Sequence, residues 1–258
     1  MTTRAVRLLL NQYGGYAFGF VSLFVLWHLA AVYLVGSVLF PPPAIVLRKG
    51  VVLVRNGVLF EHLWASSQRI LAGFIAGSLL GIPIGLAMGS FRPVRRILEP
   101  YTEFLRFIPS VAMITVAVIW FGIGEASKIF LIIYTTIFIV IINTAAGVSA
   151  IAPDKIRAAQ ALGATRAQIF LHVALPATVP YILTGMRLAM ANSFTTIVAA
   201  ELIAANEGLG KMLWDGRMFM LVDDIFVSLV CLGLLGFAVD RMFRWSIYTF
   251  AGKYSPAT

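Results

Sequence analysis

The sequence predicts an all-α membrane protein, a bundle of about six transmembrane helices with a further polar helical segment on the cytoplasmic face. Three observations point there. Of 258 residues, 60% are hydrophobic and only 12% are charged, where a soluble domain carries about a quarter charged residues. The apolar residues gather in stretches long enough to cross a bilayer, for which roughly 20 helical residues suffice. Irregular backbone facing lipid would leave polar groups unpaired, so these stretches are read as helices. Finally, a polar stretch between two spans, residues 150–176, is too long and too structured for a simple connector.

Taken in order, the first span is placed at 16–38, and Pro41-Pro42-Pro43 stop any helix after it. Arg4 and Arg7 before an apolar run look like a signal peptide, but the run is too long and lacks a small-residue cleavage pattern. An uncleaved first span is expected. Residues 44–64 alternate apolar and basic positions, either as a short amphipathic helix at the outer surface or as a loop. The second span, 66–89, carries Gly73, Gly77, Gly81 and Gly85 at four-residue intervals. All four lie near one face, where they let another helix backbone come close. Pro83 inside this span is expected to kink it. Residues 91–104 form an inner connector, basic and then acidic, that turns at Glu99-Pro100. The third and shortest span is placed at 105–122 and closes on Phe121-Gly-Ile-Gly124, and the fourth follows at 127–149.

The polar segment contains Arg157-Ala-Ala-Gln-Ala-Leu-Gly163 and Val173-Ala-Leu-Pro176. A helix ending at Gly163 places glycine in the left-handed cap, where another residue would carry a Cβ penalty. Thr165 is positioned to cap a second helix, expected to run to Pro176 and stop there. Such a surface at the membrane face suits docking by something soluble. The fifth span is placed at 179–204, an outer turn at Asn206-Glu-Gly-Leu-Gly210, an outer-face helix within 211–224, and the sixth span at 224–246. Residues 1–258 read as one domain without a linker or a low-complexity tract.

The net charge of +9 is explained by topology. With a cytoplasmic N-terminus, Arg4, Arg7, Arg92, Arg95, Arg96, Arg106, Lys155, Arg157, Arg166, Arg241, Arg244 and Lys253 lie inside. Fewer basic residues, spread over longer loops, fall outside. That bias follows the positive-inside rule with both termini cytoplasmic, and it is no nucleic-acid footprint. Cys231 is the only cysteine, so no intrachain disulfide forms.

Catalytic and nucleotide motifs are missing. Gly208-Leu-Gly-Lys211 is followed by Met and has the wrong spacing for a phosphate loop. Neither a His-Glu-x-x-His nor a Gly-x-Ser-x-Gly motif occurs. His28, His62 and His172 are far apart in sequence and topology, so no metal site is expected. No catalytic residue is assigned.

The 157–176 segment resembles the EAA loop of binding-protein-dependent ABC importer permeases: Glu-Ala-Ala, three residues, Gly, nine residues, Ile, one residue, Leu-Pro. Ala158, Ala159, Gly163, Leu175 and Pro176 match, Val173 replaces Ile, and Arg157 stands where the family usually has Glu. Leu39-Phe-Pro-Pro-Pro, Ile108-Pro-Ser, Ile119-Trp-Phe-Gly-Ile-Gly124, Ala199-Ala-Glu-Leu-Ile203 and Gly208-Leu-Gly210 resemble the nitrate/sulfonate/taurine branch, over nearly the whole length. The resemblance implies a permease of the type I importer fold in the bacterial cytoplasmic (inner) membrane. Two permease subunits, in the simplest case identical, would form the pathway. Each would insert a coupling helix into one of two ATPase subunits, which bind ATP and Mg; this chain would need no cofactor. A lipid-anchored periplasmic or extracellular solute-binding protein would deliver the ligand. Coupling would fall on Arg157, Ala158, Ala159, Gly163, Ala164, Leu175 and Pro176. The implied substrate is a small anion such as a sulfonate, taurine, nitrate or an aromatic acid.

Polar residues inside the spans are the pathway candidates. Asn192, Ser193 and Thr196 interrupt the apolar fifth span, and Asn192 and Thr196 share a face at four-residue spacing. They line a watery path or bond to a neighbouring helix, and Asn143 in the fourth span has the same two readings. Glu201 near the outer end of the fifth span must face protein or water, as a gate, a binding-protein contact or a structural ion pair. Arg187 in the same span either attracts an anion or pairs and snorkels to the interface. The alternative function is a self-powered secondary transporter or channel. That reading predicts paired intramembrane acids or inverted repeats, which the sequence does not display.

Overall fold

A computed structural model of the chain describes residues 15–251 apart from 16, 17, 20 and 37. The described residues are helical, with no strand among them. In order the helices are α1 (Val21–Leu34), α2 (Pro43–Arg55), α3 (Val58–Ser90), α4 (Arg92–Arg106), α5 (Met113–Phe121), α6 (Glu125–Ser149), α7 (Pro153–Ala161), α8 (Arg166–Ile169), α9 (Leu175–Ala204), α10 (Leu209–Met218) and α11 (Val222–Ala251). Four continuous apolar stretches are long enough to cross a membrane: Val58–Ser90, Glu125–Ser149, Arg166–Leu202 and Val222–Ile247. The first expected span falls partly on residues outside the described set.

Three expectations are corrected. The third span, placed at 105–122, is not one helix. Between α4 and α5 the chain turns irregularly around Ile108-Pro109-Ser110, since proline disfavours helix in the residue before it. The nine residues of α5 rise only about 14 Å at 1.5 Å per residue. Nor does Pro176 stop the helix begun at Thr165. The backbone widens to a π-helix over Phe170–Ala174 and continues as α9, with Pro176 in its first turn, where a missing N–H is tolerated. The second span starts earlier than expected, because α3 follows α2 directly across the Asn56-Gly57 turn.

The chain falls into two compact units. One comprises the described residues up to Phe60 together with Met212–Val230. In it the Trp27 indole donates to the Pro41 carbonyl at 3.1 Å and stacks on Phe226, which meets Phe40 edge-on. Lys49 pairs with Asp224 at 3.0 Å.

The second unit, Glu61–Lys211 with the described residues from Cys231 onward, holds the long helices. Here the glycine stripe of α3 meets α6 at a constant offset. A Cβ on Gly73 would lie 2.5 Å from Ile132, one on Gly77 2.7 Å from Thr136, one on Gly81 3.0 Å from Val140, and one on Gly85 2.6 Å from Thr144. Both series rise in step, so α3 and α6 run parallel with their backbones in close approach. α9 runs antiparallel to α6: Gly147 faces Thr178 and Tyr181, Gly185 faces Asn143, and Thr136 meets Ser193. Ile70, Phe74, Ile132, Val140, Ala189, Met190 and Ile197 form the apolar core.

Candidate functional site

The polar segment is built from local signals alone. Pro153 opens α7, where its fixed φ suits the first turn, and Asp154 complements the helix dipole. At the other end Gly163 takes φ +78°. Its N–H donates to the Gln160 carbonyl at 2.9 Å, and the Ala164 N–H donates to the Ala159 carbonyl at 3.0 Å. This is a Schellman termination, which satisfies carbonyls that the helix end leaves open. Thr165 then closes a capping box on α8: its hydroxyl accepts from the Gln168 N–H, and the Gln168 side chain accepts from the Thr165 N–H at 2.8 Å.

No residue of α7 is buried, and Leu162 beyond its end is 89% exposed. Arg157 pairs along the helix with Asp154 at 2.6 Å, so its charge is directed back onto the first turn. Ala158 and Gly163 are exposed, while Ala159, Ala164, Leu175 and Pro176 are half-buried. The π-turn sets these last two into the long helix.

A cleft of about 440 Å³ opens where α4 breaks before α5. Its wall runs from Arg106 and Ser110 across Tyr134, Thr135 and Ile139 of α6 to Asn192 of α9. The Tyr134 hydroxyl donates to the Leu105 carbonyl at 2.6 Å and so fixes the end of α4 against α6. Among the pathway candidates, Asn192 is brought to this cleft. Thr196 lies behind the wall, buried, with its hydroxyl 3.0 Å from that of Thr135 and 3.4 Å from that of Ser110. Ser193 is buried and donates to the Ala189 carbonyl beside Thr136. Asn143 donates to the Ile139 carbonyl at 2.8 Å against Gly185. Arg187 is paired with Asp240 of α11, which also holds Arg244.

Glu201 is placed away from the cleft and 0% exposed. Its carboxylate accepts from Ser66 at 2.9 Å, from Arg69 at 2.7 Å and from the Gly210 N–H at 2.9 Å. Arg69 also makes a two-bond fork to Glu125, at 2.5 and 2.8 Å, and donates to the Glu207 carbonyl; Lys128 pairs with Glu125 at 2.9 Å. The Ser66 hydroxyl accepts from the Leu209 N–H, and His62 Nδ1 accepts from the Gly208 N–H. The network ties α3, α6, α9 and the 205–210 turn at one end of the bundle. Sequence reasoning missed Ser66, Glu125 and Lys128 as members. The available signal was that charges at the edges of apolar windows require partners of opposite sign.

Comparison with known proteins agrees with this architecture. The family described as binding-protein-dependent transport system inner membrane component matches residues 77–247. The chain is 41% identical over 230 residues to the taurine transport system permease protein TauC of Escherichia coli, covering 87% of this chain and 83% of that protein. It is 40% identical over 218 residues to a probable ABC transporter permease protein of Brucella melitensis, covering 84% and 88% respectively. In fold it is similar to a chain of the inward-facing MetNI methionine ABC transporter, with TM-score 0.62 and 21% identity over 72% of this chain and 95% of that one. The protein belongs to the binding-protein-dependent transport system inner membrane components, the multi-pass permease subunits of ABC importers, which are not themselves enzymes.

Proposed function

We propose that two copies of this chain form the translocation pathway of an ABC importer for a small anion, with both termini on the cytoplasmic side. The family works with a separate ATPase and a binding protein, and ATP and Mg belong to that ATPase. The observation that carries the reading is the exposure of α7. It is a rigid helix, closed at its end by the Schellman turn, with none of its residues buried against its own chain. A helix of this kind, tied into α6 on one side and the Arg166–Leu202 helix on the other, suits the transmission of motion from a soluble motor. Coupling is assigned to Arg157, Ala158, Ala159, Gly163, Ala164, Leu175 and Pro176. The cleft at Asn192 is taken as this subunit's share of the path, with Thr196 supporting its wall.

A taurine permease among the relatives favours a sulfonate-bearing substrate, and nitrate or an aromatic acid falls within the same class of small anions. The test is gentle purification of the tagged chain from its native membrane, with identification of what accompanies it. A stoichiometric soluble subunit with a phosphate-binding loop, lost when Gly163 is replaced by valine, is the expected result. A transport-competent chain recovered without such a subunit would overturn the reading in favour of a self-powered carrier.

A further inference from the structure

We propose that Arg106 is the charge filter of the cleft, selecting solutes that carry one compact anionic group. This rests on the reading of the cleft as part of the translocation path. Arg106 is the one side chain with a fixed charge among the residues lining the 440 Å³ space, and no carboxylate lines it. The other polar walls, Ser110, Thr135 and Asn192, are neutral. Among the described residues Arg106 forms no ion pair, and its guanidinium lies over the Phe107 ring, 4.7 Å from the centroid. An aromatic face holds a guanidinium without neutralising it, so its N–H donors stay available.

The position matters as much as the charge. Arg106 and Ile142 also line a second cleft of about 290 Å³ bounded by α3, α4 and α6. In that second cleft Arg95 is already paired with Glu99 at 2.9 Å, and Glu103 adds an acid to the wall. Arg106 thus borders both spaces, with no other charged side chain lining the one and mixed charge lining the other. A low-dielectric cleft of single sign concentrates counter-ions. A planar guanidinium offers paired donors to sulfonate, nitrate or carboxylate oxygens, which a lysine ammonium reproduces only as a point charge.

The test reads charge preference directly and needs no knowledge of the natural solute. In the full-length chain, assembled with its partner subunits in membrane vesicles, Cys231→Ser and Asn192→Cys leave one thiol in the cleft. Its modification rate is compared for anionic sulfonatoethyl methanethiosulfonate and cationic trimethylammonioethyl methanethiosulfonate. Arg106→Gln is expected to lower the anion-to-cation rate ratio on the order of tenfold, and Arg106→Lys to keep most of it. A thiol at the exposed Leu162 should show no change with either variant. Should the Asn192 thiol impair assembly, Ser110→Cys carries the same comparison on the other wall.

An unchanged ratio in assembled Arg106→Gln overturns the filter. Uptake of radiolabelled taurine, methanesulfonate and nitrate by the complex without these substitutions is measured separately. Uptake with an Arg106-independent ratio sinks the filter alone. No uptake of any of the three, with the ratio still Arg106-dependent, supports the filter and removes the proposed substrate class.

Discussion

Arg69 Nη1 stands 2.7 Å from Glu201 Oε1, and both side chains are nearly or fully removed from solvent. The pair joins α3 to α9 across 132 residues of sequence. Through the same guanidinium it reaches Glu125 at the start of α6 and the Glu207 carbonyl in the 205–210 turn. Three spanning helices and the turn that follows α9 are thereby fixed at one end of the bundle by a single cation. The glycine stripe of α3 then carries the contact with α6 along the membrane, where small residues replace the hydrophobic drive that lipid removes.

Removing Arg69 leaves Glu201 buried without a counter-charge, at a cost of about 3–5 kcal/mol, whereas removing Glu201 leaves Arg69 its fork to Glu125. Arg69→Met is therefore expected to lower the apparent melting temperature of the detergent-purified protein sharply, and Arg69→Lys less so, since an ammonium still faces Glu201. The double change Arg69→Met with Glu201→Leu should be milder than Arg69→Met alone. Equal losses for all three variants would mean that the network is incidental to stability.

At Gly77 the space is already taken by Thr136: an added methyl would sit 2.7 Å from its Cβ. Gly77→Ala must push α3 and α6 apart, at about 1–3 kcal/mol for overpacking. Thr136→Gly opens the facing position and carries its own helix-propensity cost of about 0.3 kcal/mol. The two changes together should destabilise by clearly less than the sum of the singles, as measured by apparent melting temperatures in a double-mutant cycle. Simple additivity would show that the helices do not meet at this register.

What was legible in the sequence was local. Gly163, Thr165 and the four-residue glycine spacing announce a C-cap, an N-cap and a close helix contact, because each depends on residues within a turn or two. The Arg69 network was not legible as a unit, since the hydrogen bonds that Arg69 itself makes join residues 56 to 138 positions apart. Glu201 was visible only as a lone charge near the outer end of the fifth span. The third span was misread because an apolar run outweighed Pro109, which breaks the helix and opens the cleft. Pro176 misled in the opposite sense: the preceding π-turn absorbs the proline and the helix continues.

A replacement at Gly163 tests conformation apart from packing, because nothing lies within 4 Å of the position a Cβ would take. The obstacle is φ +78° alone, which costs a β-branched residue roughly 1–2 kcal/mol while asparagine tolerates it. Gly163→Val should abolish ATPase association and with it ATP-driven uptake in reconstituted vesicles, with insertion unchanged. Gly163→Asn should retain coupling. Loss in both variants would locate the requirement in the missing side chain at the docking surface and not in the turn.

Asn192 and Thr196 share a helix face, yet their surroundings differ enough to separate the two roles the sequence left open. Asn192 is exposed on the cleft wall, and its amide bonds only back to the Leu188 carbonyl of its own helix. Thr196 is buried between the Thr135 and Ser110 hydroxyls. Thr196→Val removes a hydrogen-bonding group from between two others, and a buried hydroxyl left without its partner costs about 1–3 kcal/mol. It should therefore lower thermal stability, with uptake per assembled complex nearly unchanged. Asn192→Leu should do the reverse: little change in melting temperature or ATPase association, and a several-fold loss of solute uptake in vesicles. The comparison turns on which variant loses transport. If Thr196→Val abolishes uptake while Asn192→Leu transports normally, the path runs on the far side of α9 and the cleft is not part of it.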